Sequence, residues 1–127
     1  MRPGRTVRRA AFYPLLSLLL MSLMSSCGGS TTPGAVPTVT TFAATGVGTT
    51  GATLNGSVNP NGLATDAWFE WGTSPSLATF DTTSIQALGA GASSQPVMAT
   101  LSGLSSATTY YYRVAASNST GPAKGSI

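Results

Sequence analysis

Residues 104–118 read Leu-Ser-Ser-Ala-Thr-Thr-Tyr-Tyr-Tyr-Arg-Val-Ala-Ala-Ser-Asn. From Tyr110 onward the stretch alternates, with Tyr110, Tyr112, Val114 and Ala116 on one side and Tyr111 and Arg113 on the other. One side is apolar or aromatic, and the period is two. That is the pattern of a strand buried on one face, and it does not fit the 3.6-residue period of a helix. The small polar run before Tyr110 reads as a turn, with Leu104 as an apolar anchor ahead of it.

Working outward, the same pattern recurs with turn signals between the runs. Strands are expected over residues 38–45, 52–58, 66–72, 80–87 (the weakest), 97–101 and 110–117. In the second run Ala52, Leu54, Gly56 and Val58 share a face; in the third, Ala67, Phe69 and Trp71 point inward while Trp68 and Glu70 point outward. Asn59-Pro60-Asn61-Gly62 separates these two runs as a turn, because Pro fixes one φ angle and Gly admits a positive one. Short strands, frequent turns and no helical period imply an all-β sandwich.

The string from Leu104 to Asn118, followed by Gly121, resembles the E-to-F corner and F strand of bacterial fibronectin type III domains. Upstream, ATLNGSVNPNG and WFEWGTSPS resemble the B strand with its turn and the C strand of the same group. Together the matches cover residues 38–127. The resemblance implies an immunoglobulin-like antiparallel β-sandwich. Tyr110 would be its tyrosine-corner residue, Trp71 the core aromatic on strand C beside Phe69, and Leu104 the plug beneath the corner. The last strand departs from the family, since Ala123-Lys124-Gly125-Ser126-Ile127 supplies only its beginning. Either further domains follow Ile127, or another chain completes the pairing, or strand F keeps an open edge.

The net charge of +3 arises from position rather than from a basic surface. Arg2, Arg5, Arg8 and Arg9 lie in the first nine residues, and beyond them only Arg113 and Lys124 remain. A nucleic-acid partner is therefore not expected, because no cluster of cations exists to displace counterions. The arginines instead open a secretory signal: a cationic start, an apolar run over residues 10–24, then Ser25 and Ser26. At about 1.5 Å per residue that run reaches about 22 Å, short of a ~30 Å hydrocarbon core. Export is the stronger reading and a stable membrane span the weaker.

The signal ends Leu23-Met24-Ser25-Ser26-Cys27, which resembles a bacterial lipobox with Met24 where Leu is usual. The chain has one Cys, so Cys27 has no internal disulfide partner. The expectation is cleavage after a signal peptide of residues 1–26 and acylation of Cys27, with a plain signal peptide and an incidental Cys as the alternative. Residues 27–36 read as a flexible tether and 37–127 as the folded domain. Gly28 after the Cys implies, by the same resemblance, the outer membrane or cell surface.

The chain has no His and only three acids, Asp66, Glu70 and Asp81. That composition removes the Ser-His-Asp triad, imidazole or thiolate metal sites and a calcium loop. No enzyme activity, cofactor or metal is expected. The candidate binding face is the outer side of the third and last full strands, where Trp68 and Glu70 would neighbour Tyr111 and Arg113. Such a face serves either as a cross-strand Glu–Arg pair under two aromatics or as an anchor surface for a protein or glycan. The functional expectation is a displayed binding or spacer module. The alternative is an N-terminal accessory module of a larger secreted enzyme or adhesin.

Overall fold

In the computed structural model, residues 33–127 are described. They form strands β1 (Thr38–Thr45), β2 (Gly51–Asn59), β3 (Thr65–Gly72), β4 (Asp81–Thr82), β5 (Gln86–Gly89), β6 (Gln95–Ser102), β7 (Tyr111–Asn118) and β8 (Gly121–Lys124). One sheet has the order β1-β2-β6 and the other β4-β3-β7-β8, with β5 also pairing β3. Every pairing is antiparallel. The described residues form an all-β sandwich.

The core lies where the inward positions of both sheets meet. Leu54, Val58 and Val97 come from one sheet, and Ala67, Phe69, Val114 and Ala116 from the other. Phe69, Val58 and Val114 are fully buried. Each buried aliphatic or aromatic side chain of this kind stabilises the fold by roughly 1.5–3 kcal/mol relative to exposure. Gly56 of β2 lies against Val114 of the other sheet and against its own neighbour strand. A Cβ there would stand 2.9 Å from the Thr40 carbonyl oxygen and 3.2 Å from the Val114 Cβ. Only a residue without a side chain fits that position.

Three expectations change. The single strand over residues 80–87 is two short strands, because Thr83 pairs with β3 through its side chain. Thr83 Oγ1 accepts from the Phe69 N–H at 2.9 Å, and the Thr83 N–H donates to the Phe69 carbonyl at 3.0 Å. The chain then bulges outward at Ile85, which is 66% exposed. An irregular edge of this kind resists edge-to-edge pairing with another sheet.

The tether does not extend to residue 36. Asn118 Nδ2 donates to the Ala35 carbonyl at 2.7 Å, and Asn61 Nδ2 donates to the Val36 carbonyl at 2.7 Å. Thr120 Oγ1 donates to the Gly34 carbonyl at 3.3 Å. Residues 34–36 are thus pinned to the sandwich by two side-chain amides and one hydroxyl from two turns. Small polar composition is compatible with a free linker, but these backbone carbonyls have found partners.

Strand β8 begins at Gly121, earlier than Ala123, and covers residues 115–118 of β7. One further bond, Gly125 N–H to the Val114 carbonyl at 2.8 Å, extends the pairing. The Val114 N–H is met instead by Thr41 Oγ1 of the opposite sheet at 3.2 Å. Tyr111, Tyr112 and Arg113 have no β8 residue opposite them.

Candidate functional site

The register places the four residues of the expected binding face together on the outer side of β3 and β7. Glu70 stands opposite Arg113, Gly72 opposite Tyr111, and Trp68 opposite Ala115. Their environment differs from an exposed anchor surface. The Glu70 side chain is only 3% exposed. Arg113 Nε and Nη2 both donate to Glu70 Oε2 at 2.8 Å, while Lys124 Nζ from β8 reaches Oε1 at 2.8 Å. Lys124 also lies 5.4 Å from the Phe80 ring centroid, within cation–π range. Burial acts to raise the Glu70 pKa, but the hydrogen bonds and charges of Lys124 and Arg113 outweigh it and hold the carboxyl below its ordinary value. Both oxygens of Glu70 and the Arg113 fork are therefore committed within the fold. This part of the face is a structural ion cluster: the cross-strand Glu70–Arg113 pair, one of the two readings of this face, with Lys124 added to it. Trp68 remains half-buried beside Phe80 and Ile85. Asp66 and Asp81 are exposed.

The corner residues lead to a different place. The Ser105 N–H donates to Tyr110 Oη at 3.1 Å, so the tyrosine hydroxyl fastens the turn that precedes its own strand. The Tyr110 ring packs against Trp71 at 5.8 Å between centroids, with the planes tilted by 51°. Trp71 is half-buried near one end of the sandwich, and the aromatic at the centre of the core is Phe69. Tyr112 packs on Phe69 at 6.3 Å and donates its hydroxyl to the Phe42 carbonyl of the opposite sheet. Burial pushes the Tyr112 pKa upward. The Leu104 N–H donates to the Thr50 carbonyl at 2.9 Å, tying the corner to the β1–β2 loop. Leu104, half-buried, forms part of a wall beside the corner.

That wall belongs to a cleft of about 490 Å³ between the two sheets. Trp71, Tyr110 and Tyr112 bring aromatic residues to its lining, and Leu54, Leu101 and Leu104 bring aliphatic ones. Thr49, Ser105, Thr108 and Thr109 line it from the two loops at the mouth. No charged residue lines it. Its size falls within the ~300–1,000 Å³ usual for small-molecule sites. On the mouth, Ala107 has φ of 53°, in the left-handed region that residues with a Cβ seldom occupy.

The cleft escaped the sequence reading because its walls come from both sheets and from two loops more than fifty residues apart. The available signal was the pairing of Thr49-Thr50 with Thr108-Thr109, each polar run beside strand residues that point inward. The residues expected to carry lipid, Cys27 and its signal, lie outside the described residues. Among the described residues, no group of three His, Cys, Asp or Glu side chains comes together.

No family model matches the chain, and no curated protein matches it. Solved structures of the sensor domain of the anti-sigma factor RsgI4 from Pseudobacteroides cellulosolvens share its fold. The short form aligns with 16% identity and a TM-score of 0.52, covering 63% of this chain and 81% of that one. The long form aligns with 15% identity and a TM-score of 0.52, covering 73% and 87%. The solution structure aligns with 16% identity and a TM-score of 0.53, covering 68% of each chain. At this identity the likeness concerns the fold alone.

Proposed function

We propose that the chain is an exported cell-surface lipoprotein that displays a fibronectin type III-like sandwich as a binding module. Acyl chains on Cys27 hold it at the membrane, and the residues before Gly34 give it reach. The carrying observation is the opposition of two ends of the sandwich. The chain joins the domain beside Asn61 and Asn118, at the ends of β2 and β7. The cleft opens at the other ends of those strands, beside Gly51 and Tyr111. A module fastened at its first residues therefore turns the cleft away from its attachment. The tyrosine-corner bond of Tyr110 and the two sheet orders support the fibronectin type III reading. The structural neighbours, sensor domains of an anti-sigma factor, use a similar fold in a sensing protein.

A membrane-impermeant maleimide applied to intact cells tests this reading. Cys27 is the only native Cys. The unmodified chain is expected to stay unlabelled because its thiol is acylated, while Thr49→Cys at the cleft mouth labels readily. Labelling of the unmodified chain, or labelling of Thr49→Cys only after lysis, contradicts it.

One observation favours the accessory-module alternative. Strand β8 runs back along β7 from Asn118 toward Tyr111, away from the end where the chain joins the domain. Modules strung end to end place their two termini in this way. A reading frame continuing past Ile127 would select that alternative.

A further inference from the structure

We infer that the cleft between the sheets is a binding site for a short neutral saccharide. The inference rests on the binding-module reading and names its ligand class. Its first ground is charge. The lining contains neither acid nor base, while Glu70, Arg113 and Lys124 are locked together on the outer face of the sheet formed by β3, β7 and β8. An ionised ligand entering such a cleft would give up hydration without gaining a counter-charge, so charged ligands are disfavoured.

The second ground is the distribution of polarity. Trp71 and Tyr110 give the cleft flat aromatic surface, and their tilted packing keeps the two rings from covering each other face to face. A sugar ring presents C–H groups on its faces and hydroxyls around its edge. Aromatic rings meet the former through dispersion and their negative faces. Thr49 and Thr109 at the mouth can meet the latter, since each hydroxyl donates once and accepts twice, while Thr108 Oγ1, whose proton goes to the Ser106 carbonyl, can only accept. A purely apolar ligand would leave these hydroxyls without use.

The third ground is that the mouth is held in shape. Ser105 is fastened to Tyr110, Leu104 to Thr50, and Thr108 Oγ1 to the Ser106 carbonyl at 3.2 Å. Loops fixed before binding lose less conformational entropy when a ligand arrives.

The chain has two tryptophans, Trp68 on the outer face and Trp71 in the cleft. Trp68→Phe in the mature full chain therefore leaves Trp71 as the only indole emitter. The protein is kept in a zwitterionic detergent without a sugar headgroup and titrated with maltose, cellobiose, lactose and diacetylchitobiose. At least one disaccharide is expected to shift Trp71 emission in a saturable manner. Thr109→Val, which removes one hydroxyl at an exposed position, is expected to weaken that binding by roughly threefold to tenfold. Thr49→Phe, which narrows the mouth, is expected to abolish it. No saturable shift with any saccharide overturns the assignment, as does a shift that survives Thr49→Phe unchanged. The neutral apolar probe N-phenyl-1-naphthylamine separates the two levels. If it shifts Trp71 where saccharides do not, the ligand class is wrong while the cleft remains a binding site. If neither shifts it, the binding role of the cleft falls as well.

Discussion

Glu70 of β3 and Arg113 of β7 face each other directly across the sheet, and Arg113 grips one carboxylate oxygen through two nitrogens at 2.8 Å. Lys124 of β8 takes the other oxygen. A single buried carboxylate thus joins three strands on the outer side of the sheet. It binds the short last strand to the centre of the sheet at the point where backbone pairing is about to end.

Replacing Glu70 with Gln removes the charge that both cations answer. Breaking a fully buried pair costs ~3–5 kcal/mol, and the partial solvent access of Arg113 and Lys124 lowers that to about 2–3 kcal/mol here. Lys124→Met, which removes the more exposed partner, is expected to cost about 1 kcal/mol or less. Urea midpoints of the two variants should fall in that order. Equal midpoints would place the stabilisation elsewhere.

The same carboxylate sets an acid limit. Its folded pKa is held below the unfolded value, so the unfolded state binds a proton first as pH falls. The stabilisation is complete above the unfolded value near ~4.3 and disappears as pH drops through the folded one. The stability difference between the native chain and Glu70→Gln should therefore be constant above about pH 5.5 and shrink below about pH 4.3. Urea unfolding across that range measures it.

Tyr110→Phe keeps the ring against Trp71 and removes only the bond from the Ser105 N–H. A loss of about 0.5–1.5 kcal/mol is expected. Amide exchange should quicken at Ser105 and Leu104 while the β2–β6 ladder stays protected. Unchanged exchange at the corner would show that the hydroxyl does not hold it.

Gly56→Ala places a methyl against the Thr40 carbonyl at 2.9 Å and the Val114 Cβ at 3.2 Å. One neighbour is backbone and the other a branched core residue, so neither yields easily. Overpacking of this kind costs about 1–3 kcal/mol. Thermal melting should show a clear drop, whereas Gly62→Ala would act only through its positive φ of 85°.

The alternation in β2, β3 and β7 made the sandwich legible, because a period-two pattern assigns each side chain to a face without knowledge of its neighbours. The register of Glu70 with Arg113 also followed from two adjacent antiparallel strands. Burial of that pair did not, since it depends on Lys124 of β8 and Phe80 of the β3–β4 loop folding back over β3 and β7. Trp71 and Phe69 are two residues apart on one face and carry the same signal. Which of them stands at the centre is decided by where the partner sheet ends. The pinning of residues 34–36 depends on Asn61 and Asn118, whose amides carry no sequence mark distinguishing a turn residue from a clamp. The cleft was the least legible feature, being a gap between inward faces that pattern alone treats as filled.

The most direct measurement is the intact mass of the native protein extracted from membranes in detergent. A chain beginning at Cys27 and carrying acyl chains is the expected result, placing the sandwich at a membrane with its cleft turned outward. A chain that retains its first twenty-six residues, or one that begins near Cys27 without acyl groups, would contradict the anchored display on which the proposed function depends.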